Sequence, residues 1–385
     1  MELGVVLFDS SEKGGAGWAS KDGGLTTFRF KTPTDLINEN VIYICNTSYY
    51  EHGQHSSNMP HLRRGGFFKT SLNQLLEEYS FNLDSCDRES AAKIACSVLS
   101  ICGKRLNELT GFAQIYDAAS STIYNKIFKG GGYETEPEES IHDMCLSAWQ
   151  ETSSINHKFE SGMVTFNASA NKVRHAAFVL SHPTPAGTYK RTKHALSVVK
   201  ALEDDSPSFY RVKIDWKKSK HSELCAFGVG WNISNKKVLR EWVTQAELAV
   251  LTEFAPVEIT EVIEFERWED PIELPALLRS DEMIFSIVNG IVAESYLSAA
   301  SSRGYQSKNK RHVYSPKSCW LRSIDRAVSL ANANRLVKEL PAINLLGYSY
   351  GSVQCRVNRS MEGELMEAAK ACGFMTLNAR VPKSD

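Results

Sequence analysis

Ile343, Leu345 and Leu346 lead into Gly347-Tyr348-Ser349-Tyr350-Gly351-Ser352, and a β-rich run, Val353 to Val357, leads out. Two extended runs joined by a tight glycine-containing turn read as an antiparallel hairpin. The turn is held out for inspection, and it contains no carboxylate. The shape of a functional turn is present without acidic chemistry.

Other segments give strands and helices of two textures. Residues 3–8, 17–20, 25–30 and 41–45 read as strands, the first ending at Asp9 before a Gly-rich turn. Residues 89–109 read as a helix, with Ala91, Ile94, Ala95, Val98, Leu99, Cys102, Leu106 and Leu109 at three- and four-residue spacing. That order is compatible with an RNase H-like α/β layer. Residues 129–140, rich in Gly and Glu, read as a linker. Beyond it, 208–216 and 257–265 read as strands, and 283–300 and 318–340 as helices. The expected fold class is α/β and α+β: an RNase H-like domain over 1–128, then an antiparallel sheet with helices over 141–385.

Bulk properties exclude several function classes. With 385 residues, 42% hydrophobic and 23% charged, the chain is long enough for two or three domains. A net charge of −1 gives no global attraction for nucleic acid, so any basic surface is local. Nine cysteines without a CxxC pair suggest reduced thiols in a cytosol. Met1-Glu2-Leu3-Gly4 begins a strand rather than a signal peptide, and no apolar run approaches the roughly 20 residues of a membrane helix. A cytoplasmic protein with no membrane partner is the expectation.

Asp9 and Glu12 are candidate metal ligands of a nuclease, which would use Mg²⁺ to activate water. The competing reading has Asp9 capping a turn, because Ser10 and Ser11 supply no second ligand. Glu51, His52, His55 and His61 are spaced irregularly among Gly, Ser, Asn and Pro and read as a solvated loop. Glycines 130–132 lack a following Lys-Ser/Thr and read as linker. Three basic runs stand out: Lys190, Arg191, Lys193 and His194; Lys213, Lys217, Lys218, Lys220 and His221; and a third from Arg303 to Arg326. The third interleaves Tyr305, Tyr314 and Trp320 with Arg303, Lys308, Lys310, Arg311 and Arg322. Cations neutralise phosphates and aromatic faces stack on unpaired bases, so this run is the candidate nucleic-acid contact. Ordinary solvated lysine is its alternative.

In order along the chain, these pieces resemble a phage-type family B DNA polymerase with degenerate active sites. Phe8-Asp9-Ser10-Ser11 resembles the first exonuclease motif with one acid kept, Ile44 to Tyr50 the second with only Asn46 kept, and Cys86-Asp87-Arg88-Glu89-Ser90 the third, where Asp87 partly substitutes. Pro185-Ala186-Gly187 resembles the palm's Pro-x-Gly, which aligns Ser169 to His175 with the Asp-x-x-Ser-x-Tyr-Pro block; Ser169 then stands at the metal-binding Asp, with Asn171 in the same block. Thr244, Glu247 and Leu248 resemble Thr-x-x-Glu-Leu, and Tyr296 to Gly304 the fingers motif, with Tyr296 at its lysine. Tyr348-Ser349-Tyr350-Gly351-Ser352 resembles Gly-Asp-Thr-Asp-Ser, with Ser349 and Gly351 at the two acids. Little chain follows, so a full thumb is missing from the resemblance.

The resemblance implies that the strand before Ser169 lies beside the 348–352 turn, in a palm-like sheet with fingers-like helices. It also implies a non-catalytic polymerase-like protein of a phage or mobile element, in the cytoplasm of a bacterial host. Such a protein binds nucleic acid or a protein partner and needs no cofactor. An RNase H-like nuclease using Asp9 with Glu12 or Asp87, and a purely structural scaffold subunit, are the alternatives.

Overall fold

In the computed structural model the first apolar run is strand β1 (Glu2–Phe8), buried from Gly4 onward. A strand apolar on both faces belongs inside a sheet. It does lie there: β2 (Gly17–Lys21) pairs antiparallel on one side and β4 (Val41–Cys45) parallel on the other. The meander continues to β3 (Thr26–Phe30), and β5 (Leu62–Arg64) extends the parallel side, giving the order β3-β2-β1-β4-β5. Helix α1 (Arg88–Thr110) packs on β1 and β2. Its buried residues, Ala91, Ala92, Ala95, Cys96, Leu99, Cys102 and Leu106, follow the helical period; Ile94, expected among them, is 39% exposed. This mixed sheet with its covering helix is the expected RNase H-like layer.

The structure describes residues 2–10, 15–37, 40–46, 62–64, 72, 76, 86–110, 139–149, 162–215, 241–253, 255–279, 285–301, 304–306 and 311–380. These fall into two compact units, Met1–Lys129 with Pro275–Ser295, and Gly130–Leu274 with Tyr296–Asp385. Most of the expected linker lies outside the described residues; its last two positions, Glu139 and Ser140, open a helix.

In chain order the second unit contains α2 (Glu139–Trp149), β6 (Met163–Ser169), α3 (Lys172–Leu180), β7 (Thr184–Thr192), α4 (Val198–Glu203), β8 (Ser208–Ile214), β9 (Trp242–Thr244), α5 (Gln245–Leu251) and β10 (Val257–Glu269). Then follow α6 (Ser286–Ala300, of this unit from Tyr296), β11 (Gly304–Gln306), β12 (Arg311–Val313), α7 (Pro316–Glu339), β13 (Asn344–Ser349), β14 (Ser352–Asn358), α8 (Glu362–Ala371) and β15 (Thr376–Arg380). They build two four-stranded antiparallel sheets, β7-β10-β8-β9 and β13-β14-β6-β15, and a small β11-β12 hairpin.

Helix α7 organises this unit. Ser315 caps it and Pro316 opens it, a favoured helix start. It packs against β13 and β14 of one sheet, β7 and β9 of the other, and α2, α3 and α5. A helix covered on so many sides buries polar residues too, and Ser318, Arg322, Ser323, Asp325, Arg326, Ser329 and Asn334 are all buried. Each buried charge then needs a partner, and these partners lead to the site. Among the described residues no helix is long and apolar enough to cross a membrane.

Candidate nucleic-acid interface

The hairpin sheet has one apolar and one polar face. On β14, Val353, Cys355 and Val357 are buried in the core with Phe166 and Ala168 of β6. The alternate residues Ser352, Gln354 and Arg356 are half-buried. In register with them across β6 stand Ser169, Asn167 and Thr165. Thr376, Asn378 and Arg380 hold the next register positions on β15, and Gly347 and Asn344 face Gln354 and Arg356 on β13. The three rows are hydroxyl, amide and mixed polar with arginine, and none contains a carboxylate. Hydrogen bonds link them: the Ser169 and Ser352 Oγ atoms are 2.8 Å apart, Asn167 Nδ2 donates to Ser169 Oγ at 3.3 Å, and Arg356 Nε to Thr165 Oγ1 at 3.4 Å. As the motif order implies, the strand before Ser169 is the direct neighbour of the turn.

That turn is a two-residue hairpin loop closed by Ser349 opposite Ser352. Tyr350 and Gly351 have φ of 47° and 69°, the left-handed pair this turn requires. Glycine is needed at the second position, because a Cβ there would lie 2.7 Å from His175 Cγ. Side chains from behind fix the loop. The Tyr350 N–H donates to Asp325 Oδ2 (3.2 Å) and the Gly351 N–H to Ser329 Oγ (3.1 Å). Asp325 Oδ1 is 2.7 Å from His175 Nε2, and both side chains are almost wholly buried. Arg322 Nη1 donates to the Tyr350 hydroxyl at 2.7 Å, and its guanidinium lies 4.5 Å from the Trp149 ring and 5.7 Å from the Tyr350 ring. Arg322, Asp325 and Ser329 are i, i+3 and i+7 on α7, one helical face turned to the loop. Sequence reading missed Asp325 and Ser329, because their partners in the turn and on α3 lie far away along the chain.

A second layer anchors α7. Thr244 ends β9, and Glu247, in the first turn of α5, pairs with Arg326 (Nε to Oε1, 3.0 Å), with both side chains buried. Ser323 donates to Glu247 and lies 2.8 Å from Thr244 Oγ1, and Arg326 Nη2 donates to the Ala148 carbonyl at 2.6 Å. Leu248 is core. On the β7-β10-β8-β9 sheet, Glu261 accepts from Arg191 Nε (2.6 Å) and Arg211 Nη1 (3.3 Å); Arg211 also reaches Glu241, and Arg191 reaches Asp143. The hydrogen bond from Arg191, then the charges of both arginines, hold the Glu261 carboxyl below its ordinary value, and Glu261 in turn raises Arg191.

The remaining sequence candidates separate. Asp9 forms a two-pronged pair with Arg29, Oδ1 at 2.9 Å from Nη1 and Oδ2 at 2.5 Å from Nη2, and both side chains are more than two-fifths exposed. Asn46 accepts the Phe8 N–H at 3.0 Å, tying two strand ends. Asp87 caps α1 by accepting the Ser90 N–H at 2.9 Å, which lowers its pKa. Asn171 caps α3 through the Arg174 N–H at 2.9 Å. Glu12, the 51–61 histidine segment, glycines 130–132, Arg303, Lys308 and Lys310 lie outside the described residues. Tyr305 and Arg311 sit on β11 and β12, where Tyr305 pairs with His312 and Gln306 with Arg311.

The third basic run is corrected in its second half. Trp320 and Arg322 were expected on a nucleic-acid face, yet they are 5% and 7% exposed. Trp320 packs edge-on against Phe209 (5.4 Å) and Trp268 (5.1 Å). The cause is the burial of α7, which turns its cations into internal partners. Tyr296 and Ser301 of the fingers-like slot are likewise buried. Lys190, Lys193, His194 and Lys213 of the first two runs are exposed. Among the described residues no group of three or more His, Cys, Asp and Glu could hold a metal ion.

No family model matches the chain, and no curated protein matches it. Solved structures of Phi29 DNA polymerase are similar to it at 8% identity. For the post-translocation binary complex with primer-template DNA, the TM-score is 0.49 over 92% of this chain and 79% of that one. The ternary complex with primer-template DNA and incoming nucleotide gives 0.47 over 92% and 80%, also at 8% identity. The complex with single-stranded DNA gives 0.47 over 92% and 79%, again at 8% identity.

Proposed function

We propose that this chain is a DNA-polymerase-related protein that binds nucleic acid through its hairpin sheet without transferring phosphoryl groups. The observation that carries the reading is the Ser169–Ser352 hydroxyl pair, 2.8 Å apart at adjoining strand ends. Two-metal phosphoryl transfer needs acids to hold ions about 3.5–4 Å apart. Neutral hydroxyls do not balance that charge. The half-buried Ser352 hydroxyl can still donate to phosphate and sugar oxygens, as can the amides and Arg356 on the same face. Binding of this kind needs no metal. The family resemblance adds a replication partner protein and a phage-type setting to the proposal.

Filter binding with single-stranded and primed DNA, with and without EDTA, tests the binding half, and primer extension in Mg²⁺ and in Mn²⁺ tests the catalytic half. The expected result is retention at low salt that EDTA leaves unchanged, and no extension with either ion. No retention at low salt rejects nucleic-acid binding. Extension that disappears in Ser169→Ala rejects the loss of catalysis.

A further inference from the structure

The turn that displays this site carries a residue its backbone does not favour. A two-residue turn with both φ angles positive selects Asn, Asp or Gly at its first position. Here that position is Tyr350, at φ 47°, and a bulky side chain in the left-handed region is uncommon and strained. Strain of this kind persists where the surroundings over-determine it and is a pointer to function. The surroundings here are specific. The Tyr350 hydroxyl accepts from Arg322, the Tyr350 N–H is held by Asp325, and Trp149 backs the Arg322 guanidinium at 4.5 Å. Trp149 and Tyr350 are themselves only half-buried. The result is a chain of contacts, Trp149–Arg322–Tyr350, with the tyrosine at the tip of the hairpin. Ser349 and Ser352 flank the turn on either side.

Resting on the functional reading above, we propose that Tyr350 is a stacking platform for an unpaired nucleobase. The hydroxyl and amide rows take the sugar-phosphate of the same strand. Stacking on an aromatic ring is tolerant of base identity, because every base has a π face. The hydrogen bond from Arg322 to the hydroxyl helps to fix the ring before a ligand arrives, which reduces the ordering that binding requires. The site then holds an end or gap of single strand by ring and hydroxyl, without a metal.

The test uses the full chain, a single-stranded oligonucleotide, and an abasic oligonucleotide of the same length, each titrated at low salt. Tyr350→Asn suits the turn, and its melting temperature is compared with the parent's to check that it folds. It is expected to weaken binding of the base-bearing strand roughly tenfold or more and to leave the abasic strand unchanged. Tyr350→Phe keeps the ring but loses the hydrogen bond from Arg322, and is expected to retain most of the base-dependent binding that Tyr350→Asn loses. Parent-like binding of the base-bearing strand by Tyr350→Asn overturns the stacking role and leaves the functional reading standing. Equal weakening on both strands also overturns it, since the residue then acts through the shape of the turn. If the parent binds neither strand, the functional reading falls, and this inference with it.

Discussion

Strand ends in the two units deal with charge in opposite ways. At the end of β1 an acid is kept at the surface and neutralised by a surface arginine, Arg29. At the ends of β6 and β14 the paired positions are hydroxyls, Ser169 buried and Ser352 half-buried, and the acids sit behind them. Asp325 holds the turn and Glu247 holds the helix that carries Asp325. The difference teaches where carboxylates matter in this chain. In the first unit the acid is available to solvent but paired. In the second the acids are buried supports, and the face they support carries hydroxyls, amides and arginine but no carboxylate.

The largest expected effect tests the buried support. Arg326→Ala removes the guanidinium that pairs with the buried Glu247 carboxylate. Breaking one partner of a buried pair costs about 3–5 kcal/mol. Urea unfolding should show a loss of that size, at unchanged m-value. A loss below about 1 kcal/mol, the range of a surface pair, makes the two regions alike and breaks the comparison.

Next is the turn. Gly351→Ala forces a Cβ against the His175 ring at a φ of 69°. The expected loss is about 1–3 kcal/mol. Gly363→Ala in α8 is the control, because a Cβ there meets nothing within 4 Å. It should be neutral or stabilising by up to about 1 kcal/mol. Equal effects at the two glycines mean that the loop is not held against α3 and α7 as described.

The acid limb of stability sharpens the comparison. Glu261 has a depressed folded-state pKa, first through its hydrogen bond from Arg191. A depressed carboxyl contributes stability that is fully present above its unfolded value, about 4.5, and is lost as pH falls through the folded value. Thermal melts from pH 7 downward should therefore fall more steeply below about pH 4.5 in the parent than in Glu261→Gln. Parallel curves show that this carboxylate is not coupled to folding.

How much of this was legible in the sequence follows the same division. The strands of the first unit were readable because unbroken apolar runs such as Val41 to Cys45 mark fully buried strands. The hairpin and its neighbour were readable because a glycine turn fixes register locally and motif order supplied the rest. The burial of α7 was not readable. Its segment mixes arginine, serine and asparagine with apolar residues, and periodicity in such a mixture points to no single face. Trp320 and Arg322 were therefore assigned to solvent when sheets on both sides enclose them. The His175–Asp325 pair joins residues 150 positions apart, which no local pattern reveals. Asp9 was weighed as metal ligand against turn cap, and its partner Arg29, on a neighbouring part of the sheet, entered neither reading.

The smallest expected effect is at that residue. The Asp9 and Arg29 side chains are 42% and 47% exposed. Water screens such a pair, and holding both side chains in one geometry costs entropy, so the net contribution is about 0.2–1 kcal/mol. Asp9→Ala should lower stability by no more than that, and less at high salt. The same variant decides whether the first unit keeps nuclease chemistry. A metal-binding acid must present its oxygens to the ion, and here both are hydrogen-bonded to the guanidinium. The parent is accordingly expected to show no Mg²⁺- or Mn²⁺-dependent cleavage of single- or double-stranded DNA, and Asp9→Ala to match it. Cleavage by the parent that Asp9→Ala abolishes would mean that Arg29 yields the carboxylate to an ion. The first unit would then hold an active centre, and the contrast between the strand ends would be one of function as well as of charge.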